Sequence, residues 1–178
     1  MTPQAIGAGV AGTAVVGGGG ALAAYAAGAF NAKWQEASFE DYAKYKNLKY
    51  LGETANEMTI PPVASKIKET LENTTNGKGY RAKFNSHWNN MREQDAKKEG
   101  NISRPIEDKE ELFPVDKSGS KDQEVANWTA VWCKSVGKKK VPAKQTQEGK
   151  ELWNPDLDKN PVWKAFKDIC LEEKIVVT

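Results

Sequence analysis

Two cysteines, one histidine, a glycine pattern and many carboxylates are the residues with chemistry to offer in this 178-residue chain. Cys133 and Cys170 can pair as a disulfide in an oxidising space or stay as two buried thiols in a reducing one. His87 stands alone. A single histidine and two widely spaced cysteines give neither a zinc cluster nor a Cys–His pair with an orienting Asn, so His87 reads as a surface or hydrogen-bonded partial-core residue. Gly7-Ala8-Gly9-Val10-Ala11-Gly12 is a literal G-x-G-x-x-G. That motif cradles a dinucleotide only after a buried strand and with a carboxylate about 20 residues further on. Met1–Ile6 includes Pro3 and is too short for such a strand, and the first acidic residue is Glu36. Sequence this rich in Gly and Ala produces the spacing by chance. The carboxylates fall in mixed-sign runs such as Glu107-Asp108-Lys109-Glu110-Glu111, the usual pattern of a solvated face. No catalytic, cofactor-binding or metal-binding residue is therefore assigned. The chain reads as a non-enzyme, with an enzyme of unrecognised type as an alternative.

The segments around these residues differ sharply in character. Residues 5–30 carry no charge, while all 26 Lys+Arg and all 24 Asp+Glu follow. As a helix, residues 5–30 would measure about 39 Å, more than the roughly 30 Å hydrocarbon core. Small residues four apart, such as Gly17/Ala21 and Gly20/Ala24, would let two such helices associate closely. Lys33 and Trp34 follow, as residues often do where a span leaves the bilayer. A disordered Gly/Ala tail and a cleaved signal peptide ending near Ala27-Gly28-Ala29 are the alternatives. The favoured reading is a membrane anchor over 1–32 and a soluble helical domain over 33–178. The balanced charge of the second part gives no one-signed field for nucleic acid. Lys138-Lys139-Lys140 reads as a solvated loop.

The soluble part is expected to be mainly α, a small helical bundle with long polar connectors. Ser38 and Asp41 form a capping box before a helix carrying Phe39, Tyr42, Tyr45 and Leu48. Pro61-Pro62 precedes a short helix over 65–73, and Asn76-Gly77-Lys78-Gly79 reads as a turn. Tyr80, Phe84, Trp88 and Met91 mark one face of a helix running toward Gly100. Residues 100–121 read as a connector. Val125, Trp128, Trp132, Cys133 and Val136 share the next apolar face, which Gly137 ends. Asn160 caps a last helix with Pro161 in its first turn and Val162, Phe166, Ile169 and Cys170 inward. Residues 175–178 read as a short strand or a packed tail.

The tryptophans mostly occupy apolar helix faces and read as core. Trp153 lies in the loop-like Leu152-Trp153-Asn154-Pro155 and is the candidate exposed interaction anchor. Cys133 and Cys170 lie inward on two helices joined by a connector long enough for antiparallel packing. That placement makes them the candidate disulfide, with free thiols as the alternative.

The short N-terminus, the Gly/Ala-rich segment, the Lys/Glu-rich body, "VWCK" at 131–134 and "FKDIC" at 166–170 together resemble paralogous membrane-associated proteins of haemotropic mycoplasmas. A Trp-Cys pair and a Cys near the C-terminus recur in that group, and Trp132, Cys133 and Cys170 take those places here. The resemblance implies no activity or cofactor. It implies a surface-displayed protein engaged with the host or in antigenic variation.

Topology draws two opposed arguments. Lys33, Lys44, Lys46 and Lys49 after the span favour a cytoplasmic domain by the positive-inside rule. The paired cysteines and the resemblance favour the outside. The expectation is a single-pass protein of the cell membrane with an extracellular domain, acting as an interaction module or antigen. Its expected partners are the bilayer through residues 5–30, a host or cell-surface protein, and a second copy through the span, with no nucleic acid. A fusion-peptide-like inserting protein is the alternative of another class.

Overall fold

A computed structural model describes residues 34–53, 61–73, 77–114, 118–145 and 152–174. The proposed anchor over 1–32 lies outside the described residues, as do 175–178. Ala32–Thr178 forms one compact unit, and no helix among its described residues is long and apolar enough to cross a membrane.

The unit is mainly helical. Strand β1 (Trp34–Ser38) leads into α1 (Phe39–Tyr45), β2 (Leu48–Tyr50), α2 (Ala64–Glu72) and α3 (Gly77–His87). Two short helices follow, α4 (Glu93–Ala96) and α5 (Lys109–Leu112), and then the longest among the described residues, α6 (Asp122–Gly137). The chain ends through β3 (Lys140–Gln145), β4 (Leu152–Trp153), α7 (Pro161–Cys170) and β5 (Leu171–Glu173). The strands form two small antiparallel sheets, one ordered β1-β3-β4 and one pairing β2 with β5.

The helix ends follow from local chemistry. The Ser38 side chain accepts from the Asp41 amide and the Asp41 carboxylate accepts from the Ser38 amide, so both orphan donors at the start of α1 are satisfied. At α7, Asn160 Oδ1 accepts from the amides of Val162 and Trp163 while Pro161 opens the first turn. Lys46 ends α1, and Asn47 takes a positive φ of 58°, a conformation Asn tolerates, which turns the chain into β2.

Aromatic rings fill the core that the scarce Leu and Ile leave. Trp88 meets Trp128 edge-on at 5.2 Å and Phe113 at 5.1 Å, and Phe84 stacks on Phe113 at 5.1 Å. At the other end Trp163 meets Phe39 at 5.3 Å and Tyr42 at 5.2 Å. The apolar faces read from α6 and α7 are buried throughout.

Several expectations need correction. Tyr45 is 42% exposed, because α1 stops there and Leu48 enters the core from β2 instead. Gly77 and Gly79 lie in the first turn of α3 rather than in a turn before it. The helix drawn toward Gly100 breaks at a 3-10 turn over Trp88–Asn90, with Met91 buried just beyond it, and α4 resumes the chain. The connector over 100–121 contains α5, which sends Leu112 and Phe113 into the core. Lys138-Lys139-Lys140 is no simple loop: Lys138 caps α6, Lys139 is half-buried and Lys140 opens β3.

Candidate functional site

The fold pairs the two cysteines rather than leaving them as free thiols. Cys133 on α6 and Cys170, the last residue of α7, are bonded with their Cα atoms 5.8 Å apart, inside the 4.4–6.8 Å range a disulfide needs. Both are fully buried. The bridge ties α6 to the strand-pairing C-terminus, since Cys170 O accepts from the Leu51 amide just after β2, and β5 begins at the next residue.

Beside α7 lies a groove of about 470 Å³, lined by Lys46, Leu48, Asp158, Trp163, Lys164, Lys167, Asp168 and Glu173. Trp163 Nε1 donates to Asp158 Oδ1 at 3.1 Å and Lys46 Nζ donates to Asp158 Oδ2 at 3.1 Å. Partial burial alone would raise the Asp158 pKa. The hydrogen bonds from Lys46 and Trp163 outweigh it and hold the carboxyl below its ordinary value. Lys46 is held above its ordinary value, first by its hydrogen bond to Asp158. A general acid needs a raised carboxyl, so Asp158 is fixed in the opposite state. Asp168 meets His87 Nε2 at 2.8 Å. The groove's two aspartates thus have partners, while no ion pair engages Lys164, Lys167 or Glu173 among the described residues. What remains open is an amphoteric floor that can hold a polar segment of mixed charge.

His87 is half-buried against α7, as its helix-edge place suggested. Trp153 sits in β4, paired with Lys144, so Leu152 and Trp153 are a short strand and the loop begins at Asn154; the Trp153 side chain lies outside the described ones. No group of three or more metal-ligating side chains converges among the described residues.

One feature had no signal in the sequence. Arg81 on α3 and Asp122 at the start of α6 form a buried two-pronged ion pair, with Nη1 to Oδ1 at 3.0 Å and Nη2 to Oδ2 closer still. The Gly119 amide donates to Asp122 Oδ2 at 3.0 Å. A Cβ at Gly119 would come within 2.7 Å of both Asp122 Oδ1 and the Leu112 carbonyl, so the turn requires glycine. The partners are 41 residues apart, beyond any local spacing rule. In solvent-exposed sequence runs Arg and Asp are commonplace, which hid them.

Compared with protein-family models, curated proteins and solved structures, the chain matches none.

Proposed function

We propose that this chain is a membrane-anchored, surface-displayed interaction module without enzymatic activity. Residues 5–30 supply a single span, and the disulfide-clamped domain beyond it faces the outside. The observation that carries the reading is the Cys133–Cys170 bridge. Disulfides persist in oxidising spaces and are rare in reducing ones. The uncharged run at 5–30, next to a body dense in charge, supplies the anchor.

The α7 groove is the domain's candidate contact surface. Its open lysines and Glu173 suit a mixed-charge polypeptide segment of a cell-surface partner, and Trp163 underlies them as a rigid floor. Paired carboxylates and a lowered Asp158 suit binding better than proton transfer.

Membrane fractionation combined with labelling of intact cells by an impermeant amine reagent tests the reading. The chain is expected in the membrane fraction after an alkaline wash, with its lysines labelled without permeabilisation. Release by the wash contradicts the anchor, and labelling only after permeabilisation contradicts the outward orientation.

A further inference from the structure

Folding gathers cations that the sequence keeps apart. Arg92, Lys97 and Lys98 flank α4, which packs on the C-terminal half of α6 through a hydrogen bond from Ser135 Oγ to the Asp95 carbonyl. That half of α6 and the residues after it bring Lys134, Lys138, Lys139 and Lys140. Glu99 joins the two groups, accepting from Lys134 at 3.2 Å and from Lys138. Arg92 is paired with Asp95 at 3.3 Å and Lys97 with Glu93 at 3.3 Å. Lys98, Lys139 and Lys140 have no ion-pair partner among the described residues. Burial first, then the charges of Arg92 and Lys98, hold Lys139 below its ordinary value despite Asp95. Asp41 lies near Lys140 and Lys44 and is engaged by Ser38. Glu40 is engaged by the Tyr50 hydroxyl.

The patch has no apolar centre. The large hydrophobic residues exposed among the described ones are Tyr45, Val63 and Ile106, none of them among these cations. Protein interfaces close around an apolar core, and single-stranded nucleic acid is held by exposed aromatics that stack on bases. Here Trp128 and Trp132 are fully buried in the same helix. Lysines on a helix end and turn suit a diffuse, laterally mobile layer of negative charge. We propose that this α4–α6 face docks on the anionic headgroups of a lipid bilayer. The inference rests on the anchoring part of the reading above and not on its orientation, because a tether keeps the domain within reach of the headgroups on either side.

Each lysine at an anionic surface contributes roughly fivefold to partitioning, so the two exposed unpaired amines, Lys98 and Lys140, favour the docked state about 25-fold. The full chain, synthesised cell-free with vesicles present, provides the test. Flotation with pure phosphatidylcholine vesicles reports the anchor. The rate of amine labelling at Lys98 and Lys140 reports docking. On vesicles containing phosphatidylglycerol at low salt these amines are expected to label roughly five- to 25-fold more slowly, by the same per-lysine factor, with Lys83 unchanged and the effect lost at about 1 M salt. The K98Q/K139Q/K140Q variant should lose protection at Lys134 and Lys138, while K68Q/K83Q/K159Q, outside both this face and the α7 groove, keeps it. Equal labelling on both lipids, with flotation on both, overturns docking and leaves the anchor standing. Salt-sensitive flotation and protection on the anionic vesicles alone support docking and remove the anchor. Protection by duplex DNA with none by anionic vesicles also overturns the proposal, in favour of nucleic acid.

Discussion

Opening the Cys133–Cys170 bridge is the perturbation with the best-defined magnitude. The cysteines are 37 residues apart, and closing a loop of that length removes unfolded-state entropy worth about 4 kcal/mol. For a domain of this size each kcal/mol moves the melting temperature by roughly 2–4 °C, so reduction should lower it by about 8–16 °C. Both sulfurs are fully buried, and Cys→Ala removes one atom at each site, which adds little cavity. C133A and C170A should therefore cost similar amounts, and the double variant should match either single to within about 1 kcal/mol, because one bridge is lost only once. Thermal and urea melts of the oxidised, reduced and variant proteins, followed by circular dichroism, supply the comparison. A reduced protein melting within about 2 °C of the oxidised one refutes the stabilising clamp. So does a double variant costing twice either single.

W128A should destabilise by roughly 3–5 kcal/mol, since the ring is fully buried against Trp88 and Trp132; W128F should cost less, because it also removes an indole N–H that has no partner among the described residues. R81M should cost about 3–5 kcal/mol by stranding Asp122, and R81M/D122L should recover much of that in a urea melt, the sign expected of a buried pair. G119A should be destabilising despite its size, through the clash with the Leu112 carbonyl. Asp158 has a lowered folded pKa, so its contribution is present above the ordinary carboxylate range and is lost as pH falls through the folded value; D158N should flatten that part of the acid limb of the stability profile.

Chemistry written in short spacings was legible in the sequence. The Ser38/Asp41 box, the Asn160–Pro161 start and the apolar faces of α6 and α7 are each set within one or two helical turns, and the structure has all of them. The facing of Cys133 and Cys170 followed from those faces. The strands were not legible. β3 reads Lys-Val-Pro-Ala-Lys-Gln, where charge and Pro142 contradict strand propensity. It pairs with β1 from Lys140 to Lys144, while β4 reaches only Lys144 and Gln145. The other side of Pro142 is an open edge, and the Asn154 amide donates to its carbonyl there at 2.6 Å. The break after His87 was equally hidden, because Trp88 and Met91 keep helical spacing while the backbone tightens to a 3-10 turn between them. The groove and the basic face are assembled from elements far apart in the chain, and a reading of neighbouring residues has no access to that.

The central claim is that the native domain lives oxidised outside the membrane. Thiol mapping of intact cells tests it most directly: the cells are first treated with a permeant thiol blocker, and the chain is then digested without reductant. The account predicts one cross-linked peptide pair containing Cys133 and Cys170, with neither residue blocked. Recovery of both cysteines as blocked free thiols from unstressed cells would contradict it.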